Sequence, residues 1–541
     1  MNRVPKYLGD HAELTPEKPA AINGTTGDIL TYRELDERSN RFAQCLHAFG
    51  LRRGDHIAMV LENNMRCFEL CWAALRSGLM ITPVNRFLTA SEAAYIIEDS
   101  HAQVVVSSYA LRELAAELTG IMPTCRLRLM IDGTIPGWVS YETQTAGHAA
   151  SRLADEWLGA AMIYSSGTTG RPKGIIRAQP NGKVTEGSGS ARRPQFERYG
   201  FDAQTVYLSP APLYHTAPLG YGLETQFGGG TVVFMEKFDA LEALAMIERY
   251  RVTHSQWVPT MLIRLLRLAP EQRGAFDLSS HRVAIHAAAP CPQDVKRQMI
   301  DWWGPILHEY YSSTEGNGVT TLDTPEWLAH PGSVGRALLG VIHICDDEGN
   351  ELATGETGLV YFEREQLPFH YHNDPDKTRA AMHPRHPGWS AVGDVGRVDA
   401  DGYLYLTDRR AFMIISGGVN IYPQAIEDAL AVHPSVADAA VIGVPDAEMG
   451  EEVRAIVEPA SGVEPTVALA GQLLAYLRTK VARYMVPRSI DFIDAMPRLP
   501  TGKLYKQALR DRYLADAAGP GESPRAAMTS DAATPTFWSE T

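Results

Sequence analysis

The stretch that most constrains this chain is Tyr164–Gly174, which reads YSSGTTGRPKG. The apolar run Leu158–Ile163 before it reads as a buried strand entering a loop. The loop strings together Ser165, Ser166, Gly167, Thr168, Thr169 and Gly170 before reaching Lys173. Small residues let backbone N–H groups approach a polyphosphate, hydroxyls add donors, and the lysine supplies a cation. The common P-loop is excluded, because no Gly-Lys-Ser/Thr ending follows four spacer residues. A solvated Ser/Thr/Gly turn is the plain alternative, but the Arg-Pro-Lys-Gly exit is too structured for a linker.

A chain of 541 residues exceeds one ordinary core and implies two or more domains. A net charge of −14 argues against a nucleic-acid surface, which needs a clustered basic excess. No run of about 18 apolar residues offers a membrane span, and the opening MNRVPKYLGDHAEL lacks the apolar core of a signal peptide. Six cysteines in so long a chain make no disulfide scaffold, so a reducing, cytoplasmic setting is expected. Cys67 and Cys71 share a helical face with Phe68, Trp72 and Leu75 and read as core residues rather than metal ligands.

Glu34–Phe49 carries helical spacing. His56–Leu61, Leu79–Val84, Val104–Ser107 and Leu127–Ile131 are short apolar runs, with a Met65–Leu75 helix between the first two. Strand, helix and strand with short connections make a parallel-sheet unit. Val206–Pro210 leads to Tyr214 and His215 at the start of a helix, followed by the glycine-rich GYGLETQFGGG. Those glycines either leave space for a large group or permit tight helix–strand packing. Val283–Ile285 enters HAAAPCP, and Ile306–Tyr310 is followed by YSSTEG. His370, His372, His383 and His386 match no zinc spacing and are broken by prolines. Farther on come WSAVGDVGR, YLYLTDR, MIISGGVN and PRLPTGKLYK.

With these motifs in this order, from about Tyr7 to Arg512, the chain resembles the AMP-binding, adenylate-forming superfamily of acyl-CoA synthetases, luciferases and peptide-synthetase adenylation domains. The resemblance implies an α/β fold: a large N-terminal domain of mixed and parallel β-sheets flanked by helices, plus a small mobile α+β C-terminal domain. It places the adenylating domain at 1–409, a hinge at 410–411 and the small domain at 412–515. Residues 516–541 have the Ala/Pro/Ser/Thr-rich composition of a disordered tail.

The resemblance also implies residue roles. Ser165–Gly170 and Lys173 would hold the ATP phosphates, and Ala288, Ala289, Pro290 and Tyr311 the adenine. Asp394 and Arg409 would hold the ribose, since a carboxylate accepts both O–H groups of a vicinal diol. Thr314 would sit at the phosphate or carboxylate, Glu315 near Mg²⁺, and His215 beside the carboxylate pocket. Lys503 would be the catalytic lysine, and Ser416, Gly417 and Gly418 would meet the coenzyme A tunnel. Three positions depart from the family pattern: Ser312 replaces a glycine, Ala411 stands at the hinge residue, and Phe412 stands where an acidic residue is common.

The activity implied is an AMP-forming acid–CoA ligase using ATP, Mg²⁺ and coenzyme A on a hydrophobic carboxylic acid. An acyl-AMP ligase, or an enzyme loading a carrier-protein thiol, is the alternative. A non-catalytic binder is disfavoured because Lys503 and Glu315 are both present. The acid itself (fatty, aryl or steroid side chain) is not legible, and neither is the oligomeric state, with a homodimer compatible.

Overall fold

The computed structural model describes residues 6–165, 172–177, 181–187, 193–417, 419–446, 449–498 and 504–517. Ser166–Gly170, Gly418, Lys503 and the tail beyond residue 517 lie outside the described residues.

The parallel units read from the sequence assemble into a six-stranded sheet. His56–Val60 lies at its centre, flanked in parallel by Met80–Val84 and Ala102–Ser108. Leu127–Ile131 and the two-residue edges Val139–Ser140 and Ala160–Ala161 complete it. Its central strands are buried on both faces, which is why they read as unbroken apolar runs rather than alternating ones. The crossover helix Ala90–Asp99 starts at a capping box in which the Thr89 hydroxyl accepts from Glu92 N–H and Glu92 accepts from Thr89 N–H.

A second, nine-stranded sheet runs in the spatial order Arg336–Leu339, Val319–Asp323, Leu307–Ser312, Val283–His286, His254–Trp257, Val206–Ser209, Thr231–Phe234, Pro19–Asn23 and Ile29–Thr31. Its middle is parallel and its margins antiparallel. Both large sheets contribute to one buried cluster, with Ile57 and Val104 from one and Val232 and Ile285 from the other. The helices Arg66–Arg76 and Thr216–Phe227 fill the space between the sheets, and Trp72 Nε1 donates to Gln226 Oε1 at 2.7 Å.

This packing decides the reading of the glycine-rich stretch. A Cβ on Gly222 would sit 3.0 Å from Phe68, one on Gly230 would meet Thr205 O at 2.9 Å, and one on Gly229 (φ 81°) would meet the His11 ring. These three serve close packing rather than an open acyl channel.

The run Leu158–Ile163 is not the single buried strand its hydropathy suggests. Ala160–Ala161 ends the six-stranded sheet beside Met80–Ile81, and Ile163–Ser165 turns away to pair antiparallel with Lys173–Arg177. The break falls at Met162, whose N–H still donates to Ile81 O. Apolarity fixes burial but not which sheet a residue joins. The central strand Lys173–Arg177 also pairs with Phe369–Tyr371, giving a three-stranded sheet.

A further sheet carries Val341–Cys345, Gly358–Glu363, Asp394–Val398 and Leu404–Arg409. After the short helical turn Arg410–Phe412, the chain enters a separate five-stranded sheet of Ile414–Ser416, Val419–Ile421, Val436–Asp446, Gly450–Pro459 and Ser489–Phe492. The helices Gln424–Ala431 and Val467–Lys480 pack on it around Ile426, Val441 and Leu473. The protein is therefore α/β, with a large N-terminal domain of mixed sheets and a small C-terminal one. No helix among the described residues is long and apolar enough to cross a membrane.

Candidate active site

Strands Val206–Ser209, Val283–His286 and Leu307–Ser312 run parallel, so the loops that follow them leave the nine-stranded sheet at one end, where open α/β sheets gather their ligands. Three predicted segments meet there. His215 is the N-cap residue of Thr216–Phe227, with its ring 4.5 Å from that of Tyr214. Ala288, Ala289 and Pro290 are exposed, and Ala288 holds φ 76°. A left-handed alanine costs backbone strain that the surrounding structure must sustain. Tyr311 and Ser312 are the last residues of their strand, with Val319–Asp323 returning antiparallel beside them.

Asp394 and Arg409 are paired residues of adjacent antiparallel strands. Arg409 Nε donates to Asp394 Oδ1 at 3.0 Å, and the Tyr311 hydroxyl donates to Asp394 Oδ2 at 2.5 Å. The Asp394 side chain is 9% exposed. Burial and the adjacent carboxylate hold the Tyr311 phenol far above its ordinary value, so it stays a donor. Behind this strand, Lys296 Nζ meets Glu309 Oε2 at 2.6 Å, both buried, and the neighbouring His286 is kept neutral by burial and then by Lys296.

The three-stranded sheet supplies a second group. Lys173 and Tyr371 share one face of it, with Lys173 Nζ 5.4 Å from the Tyr371 ring centre. The Tyr371 hydroxyl donates to Glu315 Oε1 at 2.8 Å, and Glu315 is only 9% exposed. Burial and then Lys377 lower the Lys173 pKa, while Glu315 opposes them. Arg177 binds the carbonyl oxygen of Thr314 through Nη2 at 2.5 Å and Nε at 3.2 Å, fixing the turn that presents Thr314 and Glu315. Ser312 Oγ donates to Gly318 O at 2.9 Å, so the serine in place of glycine closes the same turn.

Arg177 and Tyr371 carry no motif in the sequence. Period-two spacing puts Lys173 and Arg177 on one face of a strand and could have flagged the arginine. Tyr371 depends on a pairing across roughly two hundred residues, which spacing does not encode. The four histidines of that region hold no common centre. His372 Nε2 donates to Asp99 O at 2.8 Å, His383 bonds Gly349 O, and His386 stacks on Trp389.

The small domain presents Ser416 and Gly417 (φ 57°) at the tip of the Ile414–Ile421 hairpin. Phe412, just before it, lies 5.1 Å by its ring from Lys506 Nζ, which pairs with Glu427 at 2.8 Å, so the aromatic residue that replaces an acid packs under a cation. Asp428 stands beside Glu427, and its carboxyl is pushed up to about 7, first by burial and then by Glu427 and Asp408. A carboxyl that binds its proton more tightly when folded stabilises the fold at low pH. That contribution fades as pH rises from the ordinary carboxylate range through about 7. The thermal midpoint should therefore fall between pH 5 and pH 8, and Asp428→Asn should flatten that slope and raise the midpoint at pH 8. An unchanged slope in the variant would remove Asp428 as its cause.

The sequence profile of the AMP-binding enzyme family matches residues 8–371, and that of the AMP-binding enzyme C-terminal domain matches residues 425–503. The chain belongs to the AMP-binding enzyme family. It is 31% identical to a long-chain-fatty-acid–CoA ligase, FadD13, of Mycobacterium tuberculosis, over 95% of this chain and 99% of that one. It is also 31% identical to ScoC of Streptomyces coeruleorubidus, a fatty acid–[acyl-carrier-protein] ligase, over 94% and 96%. Among solved structures, ATP-bound MatB from Rhodopseudomonas palustris superposes with a TM-score of 0.78 at 30% identity, covering 94% of this chain and 99% of that one. This AMP-binding enzyme is accordingly an AMP-forming acid–thiol ligase of the acyl-CoA ligase type.

Proposed function

We propose that this AMP-binding enzyme joins a hydrophobic monocarboxylic acid to coenzyme A in two steps. The carboxylate oxygen attacks the α-phosphorus of Mg·ATP and pyrophosphate leaves. The thiolate of coenzyme A then attacks the acyl-adenylate carbonyl and AMP leaves. The observation that carries this reading is the convergence of two groups, Tyr311–Asp394–Arg409 and Lys173–Tyr371–Glu315, on the two sides of the Thr314 turn.

In this reading Asp394 and Arg409 hold the ribose, and Tyr311 with Ala288, Ala289 and Pro290 flanks the adenine. Lys173 and the loop Ser165–Gly170 take the β- and γ-phosphates. Glu315 would hold Mg²⁺: it offers hard carboxylate oxygen beside the lysine of the phosphate group, which suits an ion that keeps most of its waters and shares phosphate oxygens. The ion neutralises phosphate charge. Thr314 and His215 face the reacting carboxylate, and Lys503 bridges carboxylate and α-phosphate. Adenylation needs positioning and charge neutralisation rather than a covalent nucleophile. Rotation about Arg410–Ala411 would then bring Ser416, Gly417 and Gly418 to the thiol. A hinge needs tolerant backbone rather than a given side chain, so alanine suffices there. The free cysteines support a cytoplasmic setting.

The two named ligases divide on the acceptor thiol, so the test measures it directly. Pyrophosphate release with Mg·ATP is followed across fatty, aryl and steroid-side-chain acids, alone, with coenzyme A, and with a phosphopantetheinyl carrier protein. Acid-dependent turnover only with coenzyme A, yielding acyl-CoA, is expected. Turnover only with the carrier, or adenylate that never becomes thioester, would overturn the coenzyme A assignment.

A further inference from the structure

The first and last residues of the opening motif, Tyr164 and Gly174, sit directly opposite each other in the hairpin. A Cβ on Gly174 would lie 3.0 Å from Tyr164 Cζ, 3.0 Å from His372 Cβ and 2.5 Å from Met162 Cε. The bare glycine lets the tyrosine ring lie across the hairpin, on the face away from Lys173. There the Tyr164 hydroxyl donates to Asp99 Oδ2 at 2.6 Å. The other outer strand reaches the same residue: Asn373 Nδ2 donates to Asp99 Oδ1 at 3.3 Å, and His372 Nε2 donates to the Asp99 carbonyl. One residue thus ties both flanks of the three-stranded sheet whose middle strand carries Lys173.

Asp99 is a poor choice for its own helix. Ala90–Asp99 ends in Glu98 and Asp99 with no basic residue in the last turn, so two anions face the negative end of the helix dipole. Thr124 occupies Glu98. The partners of Asp99 are those of the phosphate-side sheet. Burial and the bond to Asp99 raise the Tyr164 phenol far above its usual range, keeping it a donor.

We infer that Asp99 is a positioning residue for adenylation: through Tyr164 and the His372–Asn373 turn it sets where Lys173 stands relative to Tyr371 and Glu315. This rests on the reading of Lys173 as a ligand of the ATP phosphates. The clamp touches no substrate, and it matters only while β- and γ-phosphates are bound. The step from acyl-adenylate to thioester involves neither phosphate and is indifferent to it.

The test uses the full-length enzyme and separates the half-reactions. Tyr164→Phe removes one hydroxyl and should lower kcat/KM for ATP in acid-dependent pyrophosphate exchange by roughly 10-fold, a misplacement effect. Thioester formation from supplied acyl-adenylate should stay at the wild-type rate. Asp99→Ala should match it, the double variant should be no worse than either single one, and Asp99→Asn, whose amide oxygen still accepts from Tyr164, should recover most of the loss. Unchanged exchange in Tyr164→Phe, equal loss of both half-reactions, or multiplying losses in the double variant would each overturn the clamp. If Asp99→Ala does not fold, Tyr164→Phe alone decides. Lys173→Met is run in parallel. If it leaves ATP use intact, the phosphate reading fails; if it impairs ATP use while Tyr164→Phe does not, only the clamp fails.

Discussion

Replacing Lys503 with alanine is expected to slow acyl-adenylate formation by at least roughly 100-fold, the scale on which removing one transition-state charge stabiliser acts. The carboxylate and the α-phosphate are both anions, and attack brings them together. A cation bridging them has its largest effect in the transition state, where that repulsion peaks. Thioester formation from supplied acyl-adenylate should survive, because the nucleophile is then a thiolate and the leaving group already carries its charge. Single-turnover measurement of each half-reaction gives the answer. Equal loss in both would move Lys503 from chemistry to fold.

The second large effect is expected at Asp394. Its two oxygens already accept from Tyr311 and Arg409, so it fixes two other site residues, and in the proposed reading it also offers lone pairs to the ribose diol. Asp394→Asn turns one oxygen into an N–H₂ group that must face a donor. Asp394→Ala leaves the guanidinium of Arg409 without its carboxylate, in a site where an unpaired polar group is costly. Both should cut kcat/KM for ATP by roughly 50-fold, the scale of losing charge-assisted bonds. The rise should lie mainly in the KM for ATP, with the KM for the acid nearly constant. A loss confined to the acid would place Asp394 on the acyl side and remove its ribose role.

The parallel core was legible because strands buried on both faces leave continuous apolar runs, as in His56–Val60 and Leu127–Ile131. Asp394 and Arg409 were legible as motif positions, and their partnership follows from a hairpin whose turn, Asp401–Gly402, is also written locally, with Gly402 at φ 82°. What stayed hidden depends on contacts between distant segments. Nothing near Tyr371 announces Glu315, and nothing near Tyr164 announces Asp99. The Leu158–Ile163 run misled for a related reason: its hydropathy is uniform, yet it serves two sheets. The glycines after His215 carried two meanings until Phe68, Thr205 and His11 were seen against them.

The pairing of Ser165 with Lys173 has a consequence for how such a chain can change over time. The arms of the hairpin are held on both sides, by the six-stranded sheet through Met162 and by Phe369–Tyr371. A one-residue insertion or deletion within Lys173–Arg177 would turn Lys173 to the opposite face, toward Asp99 and away from Glu315. Mutational drift that keeps ATP use should therefore leave the spacing within Lys173–Arg177 unchanged, and a one-residue insertion there should abolish acid-dependent pyrophosphate exchange.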